Sequence, residues 1–425
     1  MSQPLSDPTT ALSEFLTPLD VQVVGVAVSG GSDSLALLHL VHEWATSCSV
    51  QVVAATVDHG LRPEAAEEAA KVAAICAGLS IDHSTLHWRD HPGGGNLQDA
   101  ARAARYRLLA DWAGEQGVDV MLLGHTQDDL AETFVMRLGR RAGVDGLAAM
   151  APLFKRNGQT FARPLLPVSR AALRALLTTR GVAWVEDPSN DDLSYDRVRI
   201  RKALGVLAGA GITPADLAEV SHNMSRVRDA LDAQVRALAD ATVTLDRGDV
   251  LISLPPLQTA PAEITRRLFV TALQWVSGAP YSARRAPVHA MLQGLFQGQG
   301  GTLQGCLVTV AKGQCRVTRE FAAVRDLRVK GPVWDNRWRL NGPWQDGDAL
   351  RALGEDGIAA LPGWRESGQP RASLLASPSV WRGDTLVAAP LAHYNASWDA
   401  ELLPERAVFL PERAPMGIIA LNMPN

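Results

Sequence analysis

Cysteine is scarce in this sequence, and the few cysteines form no recognisable motif. The chain of 425 residues has four, and no two of them are separated by two residues: Cys48, Cys76, Cys306 and Cys315. That short spacing is typical of zinc ribbons and redox motifs, and dense cysteine is typical of disulfide-stabilised secreted domains. Both classes are therefore disfavoured, and we predict a reducing, cytoplasmic location.

Long hydrophobic runs are also lacking. No stretch approaches the roughly 18 uncharged apolar residues that a membrane-spanning helix requires. Residues 1–16 do not combine a basic segment with an apolar core, so they do not resemble a secretion signal. We therefore expect no membrane partner. The length predicts two or three domains, and the hydrophobic share of 47% is enough for sizeable cores.

A net positive charge is absent, since the formal net charge is −4. Residues 137–204 nevertheless carry eleven arginines and two lysines against six acids. Arginine presents a planar fork to phosphates and can stack on bases, so this local excess indicates a nucleic-acid contact. A solvated basic face with salt bridges is the alternative interpretation.

The first half of the chain alternates apolar runs with segments of helical character. Residues 21–28 are apolar and rich in valine, which is typical of a strand buried on both faces of a parallel sheet. A helix is predicted at 35–44, and further strand and helix pairs follow at 50–57 with 64–77, 81–87 with 97–116, and 118–123 with 128–138. This succession predicts a doubly wound, mostly parallel α/β domain over residues 1–210.

The pattern changes in the second half. Ser169 is a plausible N-cap of a helix that ends at Arg180, and a glycine-rich segment at 208–214 marks a boundary. We predict further helices at 217–238, 261–275 and 286–296, then a hairpin at 302–319 in which the two late cysteines pack. Residues 211–330 are thus expected to form a helical and mixed α+β domain, and 331–425 a third region of uncertain fold.

The first predicted strand is followed by a glycine- and serine-rich loop. It consists of Ser29, Gly30, Gly31, Ser32, Asp33 and Ser34. Open α/β sheets bind ligands beyond the carboxyl ends of their strands, and the start of the next helix favours phosphate through its free N–H groups. The loop is neither a Walker A motif nor G-x-G-x-x-G. A simple strand–helix turn is the alternative.

The sequence S-G-G-x-D-S resembles the PP-loop of the ATP pyrophosphatase superfamily. The resemblance implies an adenine-nucleotide α-hydrolase-like fold. It also implies that ATP is cleaved between its α and β phosphates to give an adenylylated substrate and pyrophosphate. All six loop residues are then expected to bind ATP. Asp33 would hold Mg²⁺, which bridges to phosphate oxygens.

Four further segments narrow the resemblance. They cover residues 57–62, 96–106, 124–133 and 184–202, and in this order they resemble the tRNA(Ile)-lysidine synthetases over residues 20–205. The resemblance implies that free L-lysine is joined to C2 of the wobble cytidine in the CAU anticodon of an isoleucine tRNA, through an adenylylated cytidine. An unpaired anticodon base can be splayed into a pocket at modest cost. The region after about residue 215 would then supply tRNA selectivity.

The third segment carries the predicted chemistry. Asp128, Asp129 and Glu132 fall at a helix start, where Asp128 and Glu132 share a face. These acids could bind Mg²⁺ or the lysine ammonium, and His125 could orient phosphate or the base. The alternative is that the acids cap the helix and complement its dipole. Thr126 stands where family members commonly have a second histidine.

Five arginines are candidate contacts to tRNA phosphates: Arg140, Arg141, Arg197, Arg199 and Arg201. Arg197 could instead reach ATP or lysine. Two other functions remain open, namely a PP-loop tRNA thiolase and a non-catalytic module that binds nucleotide or tRNA. A thiolase would need a sulfur-relaying cysteine or an iron–sulfur site. A homodimer is one assembly that the sequence leaves open.

Overall fold

The computed structural model describes residues 7–60, 64–91, 97–186, 196–279 and 281–410. Within these ranges the chain forms two compact units, the first ending at Arg228 and the second beginning at Asp229. The boundary lies inside one long helix, Pro214–Thr242. The expected division at residues 210 and 330 stays a prediction.

A six-stranded sheet forms the centre of the first unit. Its strands are β1 (Val23–Ala27), β2 (Gln51–Asp58), β3 (Asp82–His87), β4 (Val120–Leu123), β5 (Leu153–Arg156) and β6 (Gln159–Ala162). Their order across the sheet is β3-β2-β1-β4-β6-β5. All neighbours are parallel except the β5–β6 hairpin. The predicted doubly wound, mostly parallel fold is confirmed.

Nine helices are assigned to the described part of the chain up to residue 242. They are α1 (Pro8–Leu16), α2 (Ser32–Cys48), α3 (Ala65–Gly78), α4 (Leu97–Glu115), α5 (Gln127–Gly139), α6 (Val144–Leu147), α7 (Arg170–Thr179), α8 (Asp196–Gly209) and α9 (Pro214–Thr242). The helix after the PP-loop begins three residues earlier than the predicted Leu35. Ser169 caps α7, as expected, and accepts a hydrogen bond from the Ala172 N–H.

Alternating side chains of the strands face two separate apolar layers. On β1, Val24 and Val26 pack with residues of α1, α2 and α7, whereas Ala27 packs with residues of α4 such as Leu109. A strand that is buried on both faces needs a continuous apolar run, and this explains why residues 21–28 contain almost no polar side chain. The two layers fix β1 at the middle of the sheet.

The order of the strands places one crevice at the centre of the sheet. The chain moves outward from β1 to β2 and β3, and then returns to add β4 on the other side of β1. Ligands bind in open α/β sheets where the strand order reverses in this way. The carboxyl ends of β1 and β4 lie side by side there, with Ala27 opposite Leu123. The PP-loop follows β1 and the acidic segment follows β4.

The second unit begins with a five-stranded antiparallel sheet. Its strands are β7 (Val243–Asp246), β8 (Asp249–Ser253), β9 (Gly301–Leu303), β10 (Cys306–Ala311) and β11 (Gln314–Arg319), and its helices are α10 (Leu254–Thr259), α11 (Ala262–Ser277) and α12 (Arg285–Phe296). The predicted hairpin is present, with Ala311 paired to Gln314 across the turn. Cys306 and Cys315 are buried on its strands, and burial raises the pKa of both thiols to about 12.

The region that the sequence left unassigned is rich in short strands. They are β12 (Val333–Trp334), β13 (Trp338–Asn341), β14 (Asp348–Ala352), β15 (Pro378–Arg382), β16 (Thr385–Ala388) and β17 (Asp399–Leu402), joined by α13 (Gly354–Ala360) and α14 (Arg371–Leu375). They form two three-stranded sheets, β12-β13-β17 and β14-β15-β16. Trp334, Trp338 and Trp398 are buried together, so the abundance of tryptophan reflects a hydrophobic core.

None of the helices in the described ranges is by itself long and apolar enough to cross a membrane. The pair α8 and α9, which is bent by 104°, meets the criteria of length and composition only when the two helices are taken together.

Candidate active site

Serine hydroxyls close the PP-loop on itself. The Ser34 Oγ accepts a hydrogen bond from the Ser29 N–H at 3.1 Å and donates to the Gly31 carbonyl at 3.1 Å. It also lies 3.2 Å from the Ser29 Oγ. The Ser32 Oγ donates to Asp33 Oδ1 at 3.0 Å. The loop is therefore held in one shape by its own side chains.

The start of α2 is suited to an anion. Gly31 is the N-cap, and no side chain of the described residues caps the helix. The first N–H groups of a helix are left without intrahelical partners, and the helix dipole adds partial positive charge at the same end. Gly30 has φ +83°, a conformation that residues other than glycine rarely adopt. Its carbonyl accepts a hydrogen bond from the Val185 N–H. This helix start is available to an anion, and its role as a phosphate site stays a prediction.

Gly124 brings the loop after β4 into contact with the PP-loop. A Cβ atom at this position would lie 3.0 Å from the Asp33 carbonyl oxygen and 3.1 Å from the Ser34 Cα. Those neighbours are backbone atoms, so they could not move aside cheaply. Glycine at 124 therefore allows the two loops to approach each other at the centre of the sheet, where the strand order reverses.

Two of the predicted catalytic acids also stabilise helix starts. Asp129 Oδ2 accepts hydrogen bonds from the N–H and Oγ of Thr126, at 2.9 and 3.1 Å, which forms a capping box at the start of α5. Asp128 Oδ2 accepts the backbone N–H of Arg170 at 2.7 Å. Asp128 thus bonds to the first residue of another helix, α7, and the capping interpretation is correct for Asp129. It does not exclude a second role, because Asp129 Oδ1 faces the cluster described next.

Arg170, which was not among the predicted site residues, joins the acids of the two loops. Its Nε donates to Asp33 Oδ2 at 2.9 Å. Its Nη2 and Nη1 lie 3.3 Å from Asp129 Oδ1 and from Glu132 Oε1, respectively. Burial alone would lower the pKa of Arg170, but the carboxylates of Asp33 and Asp129 outweigh it and raise the pKa above its ordinary value. The guanidinium therefore stays charged.

Glu132 lies deepest in the cluster, with only 1% of its side chain exposed. Its Oε1 also accepts a hydrogen bond from Arg201 Nε at 2.6 Å, and Arg197 Nε lies 3.6 Å from its Oε2. That Oε2 has no hydrogen-bond partner among the described residues. A buried carboxylate oxygen with unused capacity can receive a cationic ligand, since leaving it unpaired costs free energy.

His125 is held neutral beside these acids. Desolvation, followed by the positive charge of Arg163, lowers the pKa of His125 to about 3. Its Nδ1 is buried and has no hydrogen-bond partner within the described part of the chain. A neutral imidazole can accept or donate one hydrogen bond to a base or a phosphate, but it brings no charge to the site.

The residues present fit a magnesium ion that arrives with nucleotide. Mg²⁺ is usually held by one or two carboxylates together with substrate phosphates. Asp33 supplies such a carboxylate beside the uncapped start of α2, and 19% of its side chain is exposed. This carboxylate therefore fits a metal ion that is shared with the phosphates of ATP. Among the described residues no group of three or more metal-binding side chains is found.

The five predicted tRNA contacts fall into two groups. Arg197 and Arg201 point toward the acids of α5. Arg140 and Arg199 are exposed, and both pair with Asp196 at the start of α8. Arg141 is exposed in the turn after α5. The first group therefore belongs to the acid cluster, and a role of any of the five in tRNA binding stays a prediction.

The sequence contained one signal for Arg170 that was not used. Arg170 is the first residue of α7, directly after the predicted N-cap Ser169. A cation is unfavourable in the first turn of a helix because the dipole is positive there. An arginine at this position needs a compensating partner, and the carboxylates of Asp33, Asp129 and Glu132 provide it. Parts of three of the four resembling segments, at residues 61–62, 96 and 187–195, lie outside the described residues.

The sequence is similar to a known domain family and to several curated proteins. A model of the PP-loop domain family matches residues 5–207. The tRNA(Ile)-lysidine synthase of Ruegeria pomeroyi is 49% identical over 380 residues, which cover 89% of this chain and 91% of that protein. The synthases of Bradyrhizobium sp. and Brucella canis are each 36% identical, and the matches cover 70% and 89% of this chain and 90% and 87% of those proteins.

Proposed function

The chain belongs to the tRNA(Ile)-lysidine synthase family, and we propose that it joins free L-lysine to C2 of the wobble cytidine in the CAU-anticodon isoleucine tRNA. The reaction uses ATP and releases AMP and pyrophosphate. The C2 oxygen of cytidine is a poor leaving group, so it is first adenylylated. The lysine amine then attacks C2, the C2–O bond breaks, and AMP leaves with the oxygen.

One observation supports this proposal above all others. The PP-loop after β1 and the acids after β4 meet at one point of the sheet, where Arg170 contacts Asp33, Asp129 and Glu132. An anion site and an acidic site side by side suit a reaction that takes a triphosphate and an amine together. A ligase needs this proximity because positioning two reactants can supply a large part of the rate enhancement.

In the proposed reaction, separate groups of residues bind the phosphates, the lysine and the tRNA. The PP-loop backbone and its serines bind the phosphates, and Asp33 would hold Mg²⁺, which would supply positive charge against the leaving pyrophosphate. Asp129 and Glu132 bind the lysine ammonium, and neutral His125 orients the base or a phosphate. The arginines Arg140, Arg141 and Arg199 contact tRNA phosphates, while Arg197 and Arg201 hold Glu132. We place the reaction in the cytoplasm, and a homodimer stays a prediction.

The placement of the cysteines favours the ligase over a tRNA thiolase. α2 begins at the PP-loop and ends at Cys48, and a helix of 17 residues is about 25 Å long at 1.5 Å per residue. Cys76 is buried near the end of α3. Cys306 and Cys315 are buried in the second unit. Cys48 is therefore far from the PP-loop along α2, and the thiols of the other three cysteines are buried, which does not favour a sulfur relay.

The proposal is tested by measuring AMP and pyrophosphate in mixtures that contain magnesium, CAU-anticodon tRNA and either lysine or a sulfur donor. Lysine-dependent turnover with the formation of lysidine in the tRNA is expected. Turnover that requires the sulfur donor would support the thiolase instead. Binding of ATP and tRNA without any AMP would support a non-catalytic module. Asp33→Ala serves as the inactive control in each mixture.

A further inference from the structure

One side chain, that of Arg170, contacts acids of both loops at the centre of the sheet. Within the described residues, Arg197 and Arg201 pair with acids of α5. Of these three arginines, Arg170 is the one that forms an ion pair with Asp33 of the PP-loop. It is also the most buried of the three, with 18% of its side chain exposed against 44% for Arg197 and 34% for Arg201. The positive charge of Arg170 therefore connects the PP-loop after β1 with the acidic segment after β4.

The backbone around Arg170 is held firmly on both sides. Its N–H donates to Asp128 at 2.7 Å, and the preceding Val168 carbonyl accepts the Gln127 N–H at 2.9 Å. Ser169 caps the helix that Arg170 begins. The start of α7 is thus tied to the start of α5. Because the backbone that carries Arg170 is fixed, its side chain loses little conformational entropy when it forms ion pairs.

The charges of the cluster require a cation in this place. Asp33, Asp129 and Glu132 converge on the guanidinium, and like charges that approach each other without a counterion raise the free energy of the folded state. The same acids are assigned to bind Mg²⁺ and the lysine ammonium in the proposed reaction. Before either arrives, Arg170 supplies positive charge to the site.

We propose that Arg170 is a positioning residue, the internal counterion that holds the PP-loop carboxylate and the two α5 carboxylates together and gives up Asp33 when magnesium-bound ATP enters. This inference rests on the proposed function for the assignment of Asp33 to Mg²⁺. While nucleotide is absent, Arg170 also keeps free divalent cations away from Asp33, because the carboxylate oxygen that would bind them is already paired.

The inference is tested with Arg170→Ala and with Arg174→Ala as the matched control. Arg174 lies one turn further along the same helix and pairs with Glu186 at a more exposed position. Thermal unfolding is measured without nucleotide, in the presence and absence of millimolar Mg²⁺. The midpoint of Arg170→Ala is expected to fall by roughly 5–15 °C without Mg²⁺ and to recover most of this loss with it. Wild type and the control are expected to respond little to Mg²⁺.

Kinetics supply the second readout. The KM for ATP is expected to rise by at least about tenfold in Arg170→Ala, and the Kd for tRNA is expected to stay within about twofold of wild type. Arg170→Lys retains a charge but cannot bridge three acids, so its KM and its response to Mg²⁺ should lie between the two. If Arg170→Ala does not yield folded protein, Arg170→Lys carries the same comparison with Arg174→Ala.

Two results would overturn the inference. In the first, Arg170→Ala unfolds at a lower temperature but does not respond to Mg²⁺ and keeps its KM for ATP, which would make Arg170 a structural ion pair. In the second, Arg170→Ala and Arg170→Lys have the same unfolding midpoint, response to Mg²⁺ and KM for ATP as wild type. The unfolding experiment needs neither lysine nor tRNA, so it tests Arg170 even if the chain makes no lysidine. Lysidine formation by the wild type tests the proposed function separately, so a failure of one can be told from a failure of the other.

Discussion

Each unit contains a network of arginine and acidic side chains, but the two networks differ in how far their carboxylate oxygens have hydrogen-bond partners. In the second unit, Arg316 donates to Asp249 Oδ2 at 2.7 Å and to Asp246 Oδ2 at 2.8 Å, and Ser373 also donates to Asp249. In the first unit, Glu132 Oε2 is buried with no hydrogen-bond partner among the described residues. A network whose acids are satisfied stabilises a fold, whereas one with unused acceptors can bind something else.

The location of each network explains this difference. The acids of the second unit lie at the end of β7 and at the start of β8, and their partners lie on β11 and α14, so the network connects four elements of that unit. The acids of the first unit lie in segments that follow β1 and β4, at an edge of the sheet that is open to ligands. Similar side chains are therefore structural in one unit and available for chemistry in the other. Four substitutions test this difference between the units.

The largest effect is expected for Asp33→Ala. Loss of this carboxylate removes the proposed link between Mg²⁺ and the PP-loop, so AMP formation should fall by about a thousandfold or more. The measurement is pyrophosphate release with tRNA and lysine, at a temperature where the variant is folded. Near-normal turnover would remove Asp33 from the mechanism and weaken the distinction between the units.

Arg316→Ala should affect folding and leave nucleotide binding unchanged. It removes the arginine partner of the buried Asp249, whereas Asp246 keeps its ion pair with Arg247. Breaking a buried ion pair in this way typically costs about 3–5 kcal/mol. Urea unfolding measures this loss, and Arg325→Ala, which removes an exposed pair with Asp326, is the control that should change stability by less than about 1 kcal/mol. A loss of affinity for magnesium-bound ATP without a loss of stability would contradict the structural role.

His125→Asn should change how the stability depends on pH. The pKa of His125 is lowered from 6.5 to about 3 in the folded protein. Between these values the unfolded chain binds a proton that the folded chain does not, so the free energy of unfolding decreases as the pH falls. Wild type should lose about 1 kcal/mol per pH unit more than His125→Asn between pH 6 and pH 5.

The measurement is urea unfolding of both proteins at pH 7, 6 and 5. His289→Asn, which replaces an exposed histidine of α12, controls for the substitution itself. Parallel slopes for wild type and His125→Asn would show that His125 takes up its proton as readily in the folded chain as in the unfolded one. That result would remove the reason for treating it as a neutral ligand of base or phosphate.

Arg199→Ala is expected to give the smallest effect. Arg199 is exposed, so its loss should weaken tRNA binding only a few-fold and lower the slope of log K against log salt by about one. Filter binding at several salt concentrations measures both quantities. An unchanged slope would mean that Arg199 makes no phosphate contact with the tRNA.

Much of the first unit could be predicted from the sequence, because its signals are local. Buried parallel strands read as apolar runs, and the PP-loop is one continuous segment between β1 and α2. The second unit is built from short antiparallel strands whose partners are far apart in the chain, such as β13 with β17. Short strands carry weak periodicity, so their tryptophans and glycines did not reveal which sheets they form.

The sequence by itself determined the order of strands and helices in the first unit, the residues of the PP-loop and the family to which they belong, since each depends on neighbouring residues. Only the tertiary structure decided that β4 lies beside β1, that Gly124 allows the two loops to touch and that Arg170 joins their acids. Asp33 and Arg170 are 137 positions apart. A contact over such a distance is set by the packing of the sheet and its helices, which no local pattern records.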